Sequence, residues 1–274
     1  MEKINFSFGK NWQIFIKRYF TQERLEEAQK SLVEFCGRQA LKGKSFIDVG
    51  CGSGLFSLAA YRLGASRILS FDVDRHSVLC CEYLRRREGN PENWRIMQGS
   101  VLDEGFLSQL GKFDFVYSWG VLHHTGDMWR AMKNTFGLAG EDGRLYIAIY
   151  NRTDGFGFYR DGRFGSSDFW VKFKRLYARL PSFFQYMIDY LVMAVLVTGY
   201  VLAFRNPLQK IKNHKGYRGM SWRVDIRDWL GGYPYEYARV DEVFKFAGKH
   251  GFSLENLKQN GGLMNNEYLF KKIK

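Results

Sequence analysis

Between residues 45 and 72 the chain runs from Ser45-Phe-Ile-Asp-Val49 through Gly50-Cys-Gly-Ser-Gly54 into a helical stretch opening near Leu55. A second apolar run then ends at Asp72. A strand emptying into three alternating glycines leaves few folds open. The backbone must turn within a few residues and come close to whatever lies above it, where any Cβ would clash. An acid at the end of the next strand is placed to accept hydrogen bonds from two ribose hydroxyls. The dinucleotide spacing is excluded, because Gly-x-Gly-x-x-Gly would need glycine at position 55, where Leu55 stands. With no P-loop either, a nucleoside ligand lacking pyrophosphate suits the turn.

From position 44 strand and helix alternate, with strands expected at 45–49, 67–71, 94–98, 113–118 and 143–149 and a turn at Gly140 to Gly143. Runs such as Arg67-Ile-Leu-Ser-Phe71 are apolar almost throughout, as strands covered on both faces must be. This alternation predicts a doubly wound, mostly parallel α/β sheet. Residues 1–43 read as an N-terminal cap segment: a glycine-broken aromatic stretch, Phe6 to Trp12, then a helix from Thr21 to about Gln39. Thr21 is its N-cap, and Leu25, Ala28, Leu32 and Phe35 face the sheet. Residues 44–150 form the nucleoside-binding core and 151–239 an insertion. Residues 240–274 complete the core with a helix (Val240 to Lys249), a strand (Phe252 to Lys258), an Asn/Gly loop and a last strand from Glu267.

Asp48-Val-Gly-Cys-Gly-Ser-Gly54, Ser70-Phe-Asp-Val-Asp74 and Phe113-Asp-Phe-Val-Tyr-Ser-Trp-Gly-Val-Leu-His-His124 together resemble the class I S-adenosylmethionine (SAM) dependent methyltransferases. The likeness covers about residues 44–150, with a matching strand pair near the C-terminus. It implies a Rossmann-like, seven-stranded sheet and SAM as cofactor. Asp48 would open the motif, Gly50, Cys51, Gly52 and Gly54 would pass beneath the methionine part, and Asp72 would hold the ribose. Val73 would border the adenine, Ser100 and Val101 would contact it, and Trp119 would lie near the sulfonium. In similar enzymes the segment before the first strand often covers the cofactor, which makes Phe8 and Trp12 either lid residues or a plain hydrophobic staple. A SAM-binding protein without catalysis would carry the same motifs.

Methyl transfer is an in-line displacement governed by positioning, and an oxygen or nitrogen nucleophile also needs a base. His123 and His124 stand just past the fourth strand, where a base belongs; each is equally readable as a packed residue. The stretch is similar to the ubiquinone-biosynthesis O-methyltransferases, whose Glu-x-x-Glu-His pattern places His124 on the family's histidine. Gly120 and His123 replace the two glutamates, so no metal is carried over. The same stretch also resembles tRNA wobble-uridine carboxymethyl-transferring enzymes.

The net charge of +13 attracts nucleic acid, anionic lipid or an acidic small molecule without choosing among them. Four cysteines without metal-like spacing read as reduced thiols, and no apolar h-region follows the N-terminal lysines, so a cytoplasmic protein is expected. Tyr190 to Phe204 is uncharged and apolar. Lys172, Lys174, Arg175 and Arg179 precede it, and Arg205, Lys210, Lys212 and Lys215 follow. The chain must return afterwards to finish the same sheet. A helix lying on the anionic inner face of a membrane therefore fits better than a span, with burial in the core or in a homodimer interface as the competing reading. Related quinone methyltransferases carry a membrane-associating insertion after a segment resembling Tyr150-Asn-Arg-Thr153. Within the insertion, Tyr233, Tyr235 and Glu236 are placed to wall a substrate pocket, although Gly and Pro there also make an ordinary turn. The sequence thus points to methylation of oxygen on a small-molecule or lipid acceptor, with an RNA (tRNA) base-modifying transferase as the alternative.

Overall fold

The computed structural model describes residues 8–155 and 165–273; Phe6 of the aromatic segment and residues 156–164 of the insertion lie outside the described residues. The chain opens with α1 (Phe8–Arg18) and α2 (Gln22–Cys36). It then alternates β1 (Ser45–Val49), α3 (Leu55–Arg62), β2 (Arg67–Asp72), α4 (Arg75–Arg87), β3 (Trp94–Gln98), α5 (Glu104–Ser108), β4 (Phe113–Trp119), α6 (Met128–Phe136) and β5 (Ala139–Tyr150). The insertion holds α7 (Ser167–Arg179), α8 (Ser182–Leu202), α9 (Pro207–Asn213) and α10 (Trp222–Gly231). Then α11 (Val240–Lys249), β6 (Phe252–Lys258) and β7 (Asn265–Lys272) close the sheet.

The strand order is β3-β2-β1-β4-β5-β7-β6, parallel except for β7, which runs against both its neighbours. Because β1 pairs with both β2 and β4, the winding reverses there and a crevice opens beyond the strands' carboxyl ends. Successive residues point to opposite faces. Phe46, Phe115, Tyr117, Tyr146 and Leu269 pack beneath Leu25, Ala28 and Leu32 of α2 and Leu55 and Leu58 of α3. Ile47, Val49, Val116, Ile147 and Phe270 pack against Met128 and Met132 of α6 and Val243 and Ala247 of α11.

Three local expectations need correction. The glycine-broken N-terminal stretch is a helix: Gly9 sits in its first turn, and its amide donates to Asp74 Oδ2 at 3.1 Å. A Cβ on Gly9 would lie 2.6 Å from the same carboxylate, so the glycine permits docking and does not break the helix. The α2 helix stops at Cys36 because Gly37 takes φ 95°. The expected turn at Gly140 to Gly143 is a bulge inside β5: Phe113 pairs with Ala139, and Phe115 already with Arg144.

The insertion is fastened to the core by buried charge. Arg218 donates to Glu267 Oε2 (3.2 Å) and to the hydroxyls of Tyr146 (2.8 Å) and Tyr117, while its guanidinium lies over Phe56 and Trp119 at 4.4 and 4.2 Å. Both charges are almost wholly buried. Removing one member of such a pair strands the other in a low-dielectric interior. Glu267→Ala should therefore lower stability by about 3–5 kcal/mol, read as a fall in the urea midpoint. Arg218→Leu combined with Glu267→Leu should lose less than the two single changes summed; strict additivity would show that the pair is not coupled.

Candidate functional site

Gly50, Gly52 and Gly54 all take positive φ (77°, 53° and 79°), which side-chain-bearing residues adopt only with strain. Space forbids a Cβ at each as well. One on Gly50 would lie 2.4 Å from Val121, one on Gly54 2.7 Å from the Cys81 backbone, and one on Gly52 2.9 Å from the Trp12 indole nitrogen. The loop is thus pinned to the end of β4 and to α4, and α1 lies across its outer side.

Asp72 ends β2 beside this loop. Its Oδ2 accepts from the Gly52 amide (3.0 Å) and its Oδ1 from the Asp74 amide (2.8 Å). Burial raises its carboxyl to about 6 in spite of these two bonds. Val73, next along, is exposed, and Ser100 closes a local turn by accepting from the Leu102 amide at 3.1 Å. Trp119 stands at the end of β4 over Arg218.

Three expected cofactor residues point their side chains elsewhere. Asp48 accepts from Ser57 Oγ at 2.6 Å, Ser57 from Ser70 and Ser70 from Trp94, so its carboxyl ends a buried relay beneath the sheet. Cys51 packs against Cys81, and Val101 belongs to the apolar core under α5 and α6. For these two the backbone alone can face a ligand.

The two histidines have different chemistry. His123 is fully buried: the Tyr150 amide donates to its Nδ1 at 3.3 Å, the Ala148 backbone is a further hydrogen-bond partner of the ring, and burial holds it well below the usual histidine range, so it is neutral. His124 Nδ1 lies 2.6 Å from the Pro234 carbonyl, which can only accept; the proton is therefore on Nδ1, and Nε2 keeps its lone pair. Burial lowers His124 to about 3, so it is unprotonated throughout the neutral range. Gly232 makes room for it: a Cβ there would lie 2.7 Å from His124 Cε1.

Around His124 the elements converge. The Phe8 ring on α1 lies 5.0 Å away and that of Tyr150 at the end of β5 5.5 Å, while Tyr235 stacks on Tyr150 at 4.9 Å. Asn11 of α1 donates to Asp228 of α10 at 2.7 Å, tying the N-terminal helix to the insertion. Tyr233 lies half-buried in the same loop. Glu236 does not wall the pocket: its Oε1 accepts from the Met128 amide at 3.2 Å and holds the start of α6. Lys174, read from sequence as part of a basic membrane flank, is buried in this cluster. Its Nζ lies 4.6 Å from the Trp229 ring and 4.9 Å from that of Tyr235. Sequence reasoning missed Lys174, Asp228 and Asn11, because a lysine or asparagine on an amphipathic helix carries no mark of the partner its fold will bring.

Residues 20–187, more than half of the chain, match the family described as a methyltransferase domain. The ribosomal protein L11 methyltransferase of Vibrio vulnificus (strain YJ016) is 33% identical over 70 residues, 26% of this chain and 24% of that protein. Its counterpart in Tolumonas auensis is 41% identical over 49 residues, 18% and 17% of the two chains. The chain thus spans about a quarter or less of the length of these relatives. Magnesium protoporphyrin IX methyltransferase from Synechocystis, solved with bound SAH, superposes with a TM-score of 0.51 at 15% identity, covering 90% of this chain and 81% of that one. An O-methyltransferase family protein from Burkholderia thailandensis gives 0.54 at 11% identity, over 96% and 58%. At such identities these structures share the fold.

The Asp48 relay makes a prediction about pH. Burial raises Asp48 from 3.8 to about 7, so its protonated form is the one the fold favours. Its contribution to stability is full in acid and is lost as the pH rises through about 7. Asp48→Asn, which can still accept from Ser57, should melt higher than the wild type at pH 8 and show no such gain at pH 4. An equal shift at both values would show that the carboxyl does not titrate in the fold.

Proposed function

The chain belongs to the methyltransferase-domain family, and on that premise we propose that it is a SAM-dependent methyltransferase that methylates an oxygen of a small, lipophilic acceptor delivered from an anionic membrane surface. The observation that carries this reading is the tautomer of His124: a lone pair at the carboxyl ends of β4 and β5, beside Phe8 of α1 and Gly232 at the end of α10. The glycine loop fits the cofactor through its backbone: the positive φ of Gly50, Gly52 and Gly54 holds it in a tight turn beside Asp72, whose carboxylate accepts from the Gly52 amide. Asp72 would hold the ribose, exchanging its bond to the Gly52 amide for the ligand's hydroxyls, with Val73 and Ser100 on the adenine side.

When bound, SAM supplies an electrophilic methyl group on a positively charged sulfur. His124 Nε2 takes the proton of the acceptor oxygen, while the Pro234 carbonyl fixes its ring and stabilises the charge it gains. Phe8 and Trp12 keep water from the crevice. As His124 is a weak base, it suits an oxygen that is already acidic. The enclosure of His124 by Phe8, Tyr150 and Tyr235 favours a small acceptor over an RNA base or a protein side chain.

The membrane part of the proposal rests on α8. Asp189, its single charge, is buried and pairs with Arg227 at 2.5 Å, also accepting from the Tyr177 hydroxyl at 2.5 Å. Arg223 holds the Tyr190 hydroxyl at 2.7 Å. Beyond that anchor the helix runs out with Leu191, Val195 and Leu202 exposed, and the turn that follows presents Phe204 fully exposed. The helix is long and apolar enough to cross a membrane by length and composition, but α9 and α10 bring the chain back to the sheet. Exposed Arg205, Lys210 and Lys212 beside the apolar end suit anionic headgroups; Lys174 is buried and Lys215 pairs with Glu23, so neither contributes. A cleft of about 280 Å³ opens between α1, α8 and α10, and Asn11 both lines it and holds Asp228.

Two experiments test these parts. With methyl-labelled SAM and a whole-cell extract, label should enter the solvent-extractable fraction; label in RNA or protein would replace this reading with a macromolecular acceptor. His124→Ala should slow that transfer by about 10²–10⁴ with unchanged calorimetric affinity for SAM. Asp72→Ala should lose about 1.5–3 kcal/mol of that affinity. Equal losses of affinity in both variants would remove His124 from the chemistry.

The chain should also float with vesicles containing phosphatidylglycerol, less so at high salt. Leu202→Asp with Phe204→Asp should abolish flotation and spare SAM binding. Should the wild type stay unbound, and those changes turn a dimer into a monomer, α8 is a homodimer interface.

A further inference from the structure

Buried on the insertion side of His124 are two hydrogen-bond donors that find no acceptor among the described residues, Lys174 Nζ and Trp170 Nε1. They are neighbours through shared rings. Trp170 packs on Trp229 at 4.3 Å between ring centres, and Lys174 Nζ stands over Trp229 at 4.6 Å. The Tyr150 ring lies 6.0 Å from Lys174 Nζ, 4.1 Å from the His123 ring and 5.5 Å from that of His124. Lys174 forms no ion pair among the described residues, and the nearby carboxylate, Asp228, is held by Asn11.

Such a group is not explained by stability. Burying an ammonium without a partner costs more than the aromatic faces around it return, and a methionine would fill the same space without that cost. Most buried polar atoms in a fold find a partner, and a cluster of donors with none marks a place shaped for an acceptor from outside. The complement of two donors, one of them cationic, is an anionic oxygen.

We propose that Lys174 and Trp170 form an anion-recognition site for the acceptor, so that the molecule methylated beside His124 carries a carboxylate or an equally acidic enol or phenol oxygen. Its role as an acceptor site rests on the methyltransferase reading, because the anion is the acceptor only if methyl transfer takes place at His124. The aromatic walls, Tyr150, Trp229 and Tyr235, fit a planar group attached to that oxygen. This accounts for the position of Lys174 on α7, the first described helix of the insertion: the insertion supplies the acceptor's charge partner, and the sheet supplies the base.

Benzoate and its neutral counterpart benzamide are the probes, read by the fluorescence of Trp170 and Trp229. Wild type should bind benzoate more tightly than benzamide. Lys174→Met should weaken benzoate binding by about ten- to a hundredfold and leave benzamide unchanged. Burial lowers Lys174 to about 7, so its charge is present below that value and lost above it. Benzoate affinity should accordingly fall as the pH rises through about 7, while benzoate itself stays ionised.

The other groups facing Lys174 are His123, His124, Tyr150, Tyr235 and Asp228. Burial lowers both histidines and raises both tyrosines away from neutrality. Burial also raises Asp228, and its ionisation would act in the same direction, so Asp228→Asn must keep the pH slope. If Lys174→Met does not fold, the wild-type slope and the Asp228→Asn slope decide. Equal affinity for benzoate and benzamide, equal benzoate affinity in Lys174→Met, or a slope that disappears in Asp228→Asn would each overturn the assignment. SAM calorimetry on the same samples separates the two readings. Intact SAM binding without benzoate selectivity sinks the anion site alone, and absent SAM binding with selectivity intact sinks the methyltransferase reading alone.

Discussion

Arg218 and Glu267 meet in the interior, and the placement of the insertion depends on that meeting. Residues 151–239 leave the sheet after β5 and must return to start α11. Among the described residues, one bridge, Asn151 to Ala238, ties them to the sheet's own pairing. Arg218 reaches from the loop before α10 to the tyrosines of β4 and β5 and the glutamate of β7, three adjacent strands of the sheet. A buried pair of this kind contributes little net stability compared with an apolar replacement, but its geometry is demanding, and we attribute to it the register in which α10 lies over the sheet. The position of α10 then sets those of Asp228, Trp229 and Gly232, and hence the space around His124.

The second constraint is the strap formed by α1. Its first turn is tied to Asp74, Trp12 lies against Gly52, Asn11 holds Asp228, and Phe8 meets His124. One short helix therefore touches the ribose end of the crevice, the glycine loop, the insertion and the base. Gly9 permits this, since any side chain there would collide with the Asp74 carboxylate.

A third feature is the division of labour along the insertion. Its base, α7 and α10, is packed and carries charges inward; its outer part, the end of α8 with α9, is apolar and basic and faces outward. Asp189 marks the junction, because a carboxylate in an apolar helix must find a partner, and Arg227 on α10 provides it. The same interaction that satisfies the charge fixes where the packed part of α8 ends.

Much of the core was legible from residue order alone. Apolar runs of strand length separated by helices predict a parallel sheet, and β1 and β3 lie where those runs lie, since burial on both faces leaves a local signature. The glycines and Asp72 were legible for the same reason: the chemistry of a tight turn demands particular residue types at particular spacing. Tertiary structure decided what depends on partners distant in sequence. His123 and His124 are identical neighbours in the sequence, and only the fold buries one against the backbone of β5 and sets the other on the Pro234 carbonyl, which leaves His124 a lone pair on Nε2. Glu236 became the anchor of a helix, and Lys174 moved from an expected membrane flank to the interior. A charged residue's role is set by the groups the fold brings to it, and a single sequence records the charge without the company it keeps.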